Sequence, residues 1–144
     1  LEALQNNLIK NFNKEIEIKP EAKFGSNTRF DFLIINNNMK AFIEVKNVTL
    51  SRKKGIAEFP DAITARGLKH IKELIKAKKK GYKIYMLYWI QRNDCNFFKI
   101  AGDIDPEYSD SLSKAVKKKL NVLCYDCKFS SKGIILNHKV KFKI

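Results

Sequence analysis

Residues Thr28 to Val48 read TRFDFLIINNNMKAFIEVKNV, and the fold turns on how this stretch pairs with itself. Two β-rich runs, Arg29 to Ile35 and Lys40 to Val48, flank Asn36-Asn37-Asn38, residues that tolerate the positive φ of a tight hairpin turn. If the turn is made by Asn37 and Asn38, then Asn36 faces Met39, Asp31 faces Glu44, and Arg29 faces Lys46. Most of the remaining hairpin (Phe30, Phe32, Leu33, Ile34, Phe42, Ile43, Val45) is apolar on both faces, so the four charged residues do not form an ordinary solvent face. Two carboxylates facing each other, with Cβ atoms about 5 Å apart, repel unless one is protonated or a cation lies between them.

Working outward, Leu1, Leu4, Leu8 and Phe12 recur at helical spacing, which predicts an amphipathic helix over residues 1–13. Glu15 to Lys19 alternates as a short strand. Beyond the hairpin comes a polar loop with Arg52, Lys53, Lys54 and Gly55. Pro60-Asp61 then opens a helix to about Lys80, stopped by Gly81, with Leu68, Ile71 and Ile75 as its buried stripe. Tyr82 to Gln91 is a nearly continuous apolar run, as expected of a central strand covered on both faces. A strand at Phe97 to Ile100, a loop at Asp103 to Glu107, a helix at Ser109 to Leu120, a strand at Asn121 to Cys127 and a polar-turned tail follow. The sum is an α/β chain with a mixed central sheet flanked by helices, one domain over residues 1–144.

The chain has 29 Lys+Arg against 15 Asp+Glu, a net charge of +14, and 44% hydrophobic residues. It is therefore basic and able to build a core, which excludes a disordered basic tail. Lysine runs at Lys78 to Lys80 and Lys117 to Lys119 suit a polyanion such as nucleic acid. They also suit helix C-termini, and a low-GC coding bias would enrich lysine everywhere. The apolar run Ile84 to Ile90 is far short of the roughly 20 residues that span a bilayer, and no secretory signal is visible. Three cysteines, Cys95, Cys124 and Cys127, form an odd set that favours a reducing compartment, so a cytoplasmic location is expected. Cys124 and Cys127 make a CxxC, open to a metal or redox reading as well as to that of a core strand.

Asp31 and Glu44 offer the hard oxygen ligands that Mg²⁺ or Mn²⁺ takes alongside waters and phosphate oxygens. Lys46, two residues beyond Glu44 on the same side of its strand, is placed to hold a water or to neutralise charge on a phosphate. Together they are the parts of a metal-assisted phosphodiesterase, although cross-strand ion pairing would use the same residues. Arg66 and His70, four apart on the long helix, are expected on a face distinct from its apolar stripe, facing a phosphate backbone. Asp61 reads either as a helix cap or as a further acid of the site. Gln91 and Arg92 end the central strand at the usual ligand edge of an α/β sheet.

Four separated strings agree in content and order with one family: Thr28-Arg29-Phe30-Asp31-Phe32, Glu44-Val45-Lys46-Asn47-Val48-Thr49-Leu50, Phe59-Pro60-Asp61-Ala62-Ile63-Thr64-Ala65-Arg66-Gly67 with Lys69-His70, and Ile104-Asp105-Pro106-Glu107-Tyr108. From about Glu21 onward the chain closely resembles the sugar fermentation stimulation protein family (SfsA). Thr28 stands where that family more often has Ser. The resemblance implies DNA binding, a restriction-endonuclease-like (PD-(D/E)XK) core, and Asp31, Glu44 and Lys46 on the nuclease core motif. It also implies an upstream OB-fold domain that this chain does not contain. Two functions follow. One is Mg²⁺-dependent hydrolysis of phosphodiesters, with Asp31 and Glu44 on the metal and Arg29, Arg52, Lys53, Lys54, Arg66, Lys69 and His70 on the DNA backbone. The other is a DNA-binding regulator of sugar (maltose) metabolism genes that turns over nothing. A carbohydrate-acting enzyme with paired carboxylates is a third reading, less suited to the adjacent lysine and the basic surface. The assembly is left open, a homodimer included.

Overall fold

A computed structural model describes residues 1–144 apart from 7, 10, 13–15, 38 and 131–132. Its elements in chain order are α1 (Glu2–Gln5), β1 (Glu17–Phe24), β2 (Thr28–Asn36), β3 (Met39–Val48), β4 (Leu50–Lys53), β5 (Ile56–Phe59), α2 (Ala65–Lys79), β6 (Lys83–Ile90), β7 (Phe97–Ile100), α3 (Pro106–Lys117), β8 (Asn121–Ser130), β9 (Gly133–Lys139) and β10 (Lys141–Lys143). Six strands form one mixed sheet in the order β1-β2-β3-β6-β8-β9. β1, β2 and β3 pair antiparallel, β6 and β8 continue parallel to β3, and β9 returns antiparallel. The two parallel steps are the ones bridged by α2 and α3, as parallel strands require a long crossover. The expected mixed α/β architecture is therefore present.

The sheet separates two apolar layers. On one face Phe30, Phe42, Val48, Met86 and Tyr88 pack with Ile71 and Leu74 of α2 and Leu112 of α3. On the other, Ile34, Ile43, Leu87 and Leu123 pack with Leu4, Ile9 and Phe12 of the N-terminal segment. That segment covers the sheet as its apolar spacing predicts, but its described helix is only Glu2–Gln5 rather than residues 1–13. The parts of that expectation falling on residues 7, 10 and 13, and the strand start at residue 15, lie outside the described residues.

Two stretches read as loop or tail are strands. The polar segment at Arg52 to Gly55 turns between β4 and β5, and the tail supplies β9 and β10. The short strands β4 and β5, with β7 and β10, make a second sheet in the order β10-β7-β5-β4. Its charged side chains hid the pattern because they pair with one another. Glu58 of β5 is 1% exposed and accepts hydrogen bonds from Arg52 of β4 at 2.9 Å. On the other side Lys99 of β7 lies 3.1 Å from it, and Arg52 also reaches Asp103 at 2.9 Å. Hydrogen bonds from Arg52 hold the Glu58 carboxyl down at about 2, against the raising effect of burial, with Lys99 helping.

The long helix starts later than Pro60-Asp61 predicts. Its N-cap is Thr64, whose hydroxyl accepts from the Gly67 N–H at 3.0 Å, and Asp61 is exposed. Asp61 is therefore not the cap. Asp105 fixes the start from outside: it caps α3 by accepting from the Tyr108 N–H at 2.9 Å and accepts from the Thr64 N–H, also at 2.9 Å. A Cβ on Gly67 would lie 3.1 Å from the Tyr108 ring and 2.8 Å from the Thr64 hydroxyl, so only glycine lets the two helix starts approach.

Cys95, Cys124 and Cys127 are free and buried, and burial pushes the Cys124 and Cys127 thiols up, as befits a core strand. Among the described residues no helix is long and apolar enough to cross a membrane.

Asp105→Ala removes both buried acceptor roles and is expected to lower stability by about 2–3 kcal/mol, read as the urea midpoint at unchanged slope. Glu58, whose folded value lies below its ordinary 4.5, contributes stability above that value that is lost as pH falls towards about 2. Acid unfolding should thus steepen between roughly pH 4.5 and 2 in wild type and flatten in Glu58→Gln, as followed by circular dichroism.

Candidate active site

Asp31 is positioned by a change of face. In β2 Phe30 packs on the α2 side, whereas Phe32 and Ile34 pack on the opposite side, so side-chain alternation reverses at Asp31. The partner strand does the same: Ile18 faces one layer, Ala22 and Phe24 the other. Ala22 pairs with Phe30 and Pro20 with Phe32, and between them Glu21 adopts a left-handed φ of 51°. The β2–β3 ladder runs from Asn36↔Met39, as the turn reading predicts, but ends at Phe32↔Ile43. Beyond that point the Asp31 carboxylate takes the Val45 N–H, at 2.7 Å, in place of a backbone partner.

Glu44 and Lys46 project from β3 towards α2, on the side of Phe42 and Val48. Glu44 is 3% exposed. Its Oε1 accepts from Lys46 Nζ at 2.6 Å and from the His70 ring through Nδ1, which places the imidazole proton on that nitrogen. Lys46 Nζ lies 3.4 Å from the same ring nitrogen. Burial alone would raise the Glu44 carboxyl, but the His70 hydrogen bond and the Lys46 charge outweigh it and hold it below the usual range. Asp31 goes the other way: burial first, and the Glu44 charge second, raise its carboxyl against the Val45 N–H, Lys46 and His70. Glu44 Oε2 is buried with no hydrogen-bond partner among the described residues.

Two carboxylates with one free buried oxygen suit a hard cation, which accepts a small protein ligand set and completes its shell with water. Among the described residues no group of three or more His, Cys, Asp or Glu collects as a metal site.

The sequence-predicted residues divide. Asp31, Glu44 and Lys46 come together. His70 joins them, but not as predicted: it is 6% exposed, part of the buried stripe Gly67, His70, Ile71, Leu74 and Ala77, whereas Leu68 is only partly buried. His70 is therefore a partner of Glu44 rather than a surface contact. Its spacing from Ile71 and Leu74 was the available signal. Arg29 does not face Lys46; β2 has left the ladder, and Arg29 is exposed, opposite Lys23 and 3.4 Å from Glu21. Arg52 is committed to Glu58 and Asp103. Lys53 and Lys54 are exposed at the β4–β5 turn, and Arg66 and Lys69 on α2, with Lys69 Nζ on the Asn27 carbonyl at 2.9 Å. Arg92 pairs with Asp94 at 2.6 Å. Sequence reading missed Tyr108, whose hydroxyl meets that of Tyr88 at 2.6 Å in the core and which feels the Glu44 charge.

A family model, the sugar fermentation stimulation protein RE domain, matches residues 1–133. The chain belongs to the sugar fermentation stimulation protein family. A homologue from Pelagibacter ubique is 51% identical over 138 residues, covering 96% of this chain and 60% of its own. One from Bartonella quintana is 40% identical over 144 residues, covering 99% and 62%. The chain thus spans about three-fifths of the length of these curated relatives. The solved structure of Pyrococcus furiosus SfsA in complex with Ca²⁺ superposes with a TM-score of 0.87 at 26% identity, covering 99% of this chain and 61% of that one.

Lys46→Met leaves a buried carboxylate short of one charged partner and is expected to destabilise the fold by about 3 kcal/mol. Adding Glu44→Gln should recover most of that loss, giving a coupling energy well above 1 kcal/mol in a double-mutant cycle of chemical unfolding.

Proposed function

We propose that this SfsA-family chain forms a restriction-endonuclease-like (PD-(D/E)XK) core that hydrolyses phosphodiester bonds in DNA with Mg²⁺ or Mn²⁺. One observation carries the reading: a buried carboxylate, Glu44, keeps an oxygen with no hydrogen-bond partner among the described residues close to a second carboxylate, while a lysine stands against its other oxygen. The solved structure of Pyrococcus furiosus SfsA is a complex with Ca²⁺, which supports a hard divalent ion as a ligand of this fold. The antiparallel β1-β2-β3 unit followed by α2 and parallel β6 supports the nuclease-like core.

Asp31 and Glu44 would hold the ion, which when bound supplies Lewis acidity and a more acidic water. Asp31 is fixed by the Val45 N–H, and Glu44 by His70, so both carboxylates are pre-oriented. Lys46, 12% exposed, can release Glu44 and turn its ammonium to an attacking water or to charge developing on a phosphate. Arg66, Lys69, Lys53 and Lys54, all exposed, would meet the DNA backbone, within a chain of net charge +14.

A specific observation also favours the second reading, a DNA-binding regulator without turnover. Glu44 Oε1 already has two cationic or donating neighbours, which balance its charge without a metal. Calorimetric titration with Mg²⁺ and Mn²⁺, alongside cleavage of labelled DNA, separates the two. Wild type is expected to bind metal and cut, and Asp31→Ala to lose metal heat and at least a hundredfold in cleavage rate, about 2.7 kcal/mol. DNA binding with no metal heat in wild type would leave the regulator.

A further inference from the structure

The buried stripe of α2 faces the sheet, and what it leaves outside is of one sign. After Ala65, every exposed residue of this helix is a cation: Arg66, Lys69, Lys72, Lys76 and Lys79. They follow one another at three or four residues, so the row climbs in steps of about 5 Å and spans roughly 20 Å. The one acid of α2, Glu73, is 17% exposed and holds Lys76 at 2.6 Å. Lys72 lies 3.8 Å from Glu107 of α3, and Lys69 meets the Asn27 carbonyl. Exposed contacts of this kind are weak and readily exchanged. Like charges three or four apart weaken a helix, so folding gives no reason for the row. The neighbouring helix is an internal control. The exposed charged residues of α3 are Glu107, Asp110, Lys114 and Lys117, two of each sign, with Lys114 on Asp110 at 2.6 Å. A coding bias towards lysine acts on both helices, yet only α2 has a face of one sign.

We infer that the outward face of α2 is a rail for the sugar-phosphate backbone of a DNA duplex, with Lys72, Lys76 and Lys79 as phosphate contacts beyond Arg66 and Lys69. One strand of B-DNA presents a phosphate every ~3.4 Å of axis, so a row of this length faces about five of them. A lipid surface would call for apolar side chains among the cations, and the exposed positions after Ala65 hold none. A regular row of like charge matches a polymer whose charge repeats along a line. The inference rests on the nucleic-acid reading above and adds where the rest of the polymer lies. Arg66 opens the row one turn before His70, the partner of Glu44, and the later cations lead away from that contact. The rail therefore carries flanking duplex, read without regard to sequence, while the cut step stays at the acids.

The test compares two triple variants of the full chain that lose the same charge, Lys72→Gln/Lys76→Gln/Lys79→Gln on α2 and Lys117→Gln/Lys118→Gln/Lys119→Gln at the end of α3. Binding of a labelled DNA duplex is followed by anisotropy in EDTA across a salt series, with vesicles containing phosphatidylserine as a second polyanion. In the α2 variant the slope of log affinity against log salt is expected to fall by about 2.7, three contacts at about 0.9 each, and the affinity at least tenfold. The α3 variant should keep the wild-type slope. Relief of like-charge crowding should leave the urea midpoint of the α2 variant equal to or above that of wild type. An unchanged slope in the α2 variant, or an equal fall in both, overturns the rail while leaving DNA binding intact. Vesicle binding that the α2 variant loses while it keeps the duplex assigns the face to a lipid surface and overturns the proposal. A lowered urea midpoint makes the row a feature of folding, with the same result. No anisotropy change with wild type overturns the nucleic-acid reading and this inference with it.

Discussion

The arrangement depends on one hydrogen bond, from the Val45 N–H to the Asp31 carboxylate. A strand that stays in its ladder gives each backbone N–H a backbone carbonyl and sends its side chains alternately to either face. β2 departs from that rule on the N-terminal side of Phe32, and β3 is left with a half-buried donor that something must satisfy. The Asp31 side chain does so, and the acid is thereby held beside Glu44 rather than out in solvent. β1 accommodates the change by reversing at the paired position, where Glu21 takes the strained left-handed conformation. Cohesion of the sheet and placement of the carboxylate are a single event.

Around Glu44 the charge balance is local. Removing a carboxylate from water is costly, and here the cost is offset by one ammonium and one imidazole N–H on the same oxygen. That leaves the second oxygen with no hydrogen-bond partner among the described residues. The opposite directions of the two carboxyls, Glu44 down and Asp31 up, describe a pair whose members share one neighbourhood but not the same partners. On the function proposed above, such a pair would take a dication between groups already held in place.

Much of this was legible in the sequence, and the limits have physical causes. The hairpin register, the buried β6 strand and β7 were readable because apolar pattern and turn residues agree there. The Asp31, Glu44 and Lys46 trio is named from the same register, although the ladder stops at Phe32↔Ile43 and Asp31 reaches β3 through the Val45 N–H rather than by pairing with Glu44. Arg29 was misplaced because no pattern in Thr28–Asn36 announces that alternation reverses at Asp31. His70 was read as exposed because its helix carries two candidate stripes, and only the tertiary packing selects Gly67, His70, Ile71 and Leu74 over Leu68 and Ile75. The β4–β5 hairpin was hidden because its inward polar groups satisfy one another, a pairing between residues 52, 58, 99 and 103 that no local window contains. Asp61 looked like a cap for the opposite reason: the local signal was present, and a residue 41 positions from Thr64, Asp105, had already fixed the helix start.

That last contact also governs how separable the chain is. Asp105 binds the first turn of α3 and the entry to α2 with one carboxylate, and α2 carries His70 to Glu44. The segment after β7 is therefore not an independent module appended to the hairpin that bears the acids. In a recombined or shuffled chain, a crossover between β7 and the α3 cap is compatible with the site only if the parent supplying the downstream part carries the acidic cap and the parent supplying the upstream part carries a glycine at position 67 to receive it. Inheritance of the carboxylate pair and inheritance of the second crossover helix are in this way tied together, though the two lie far apart in the chain.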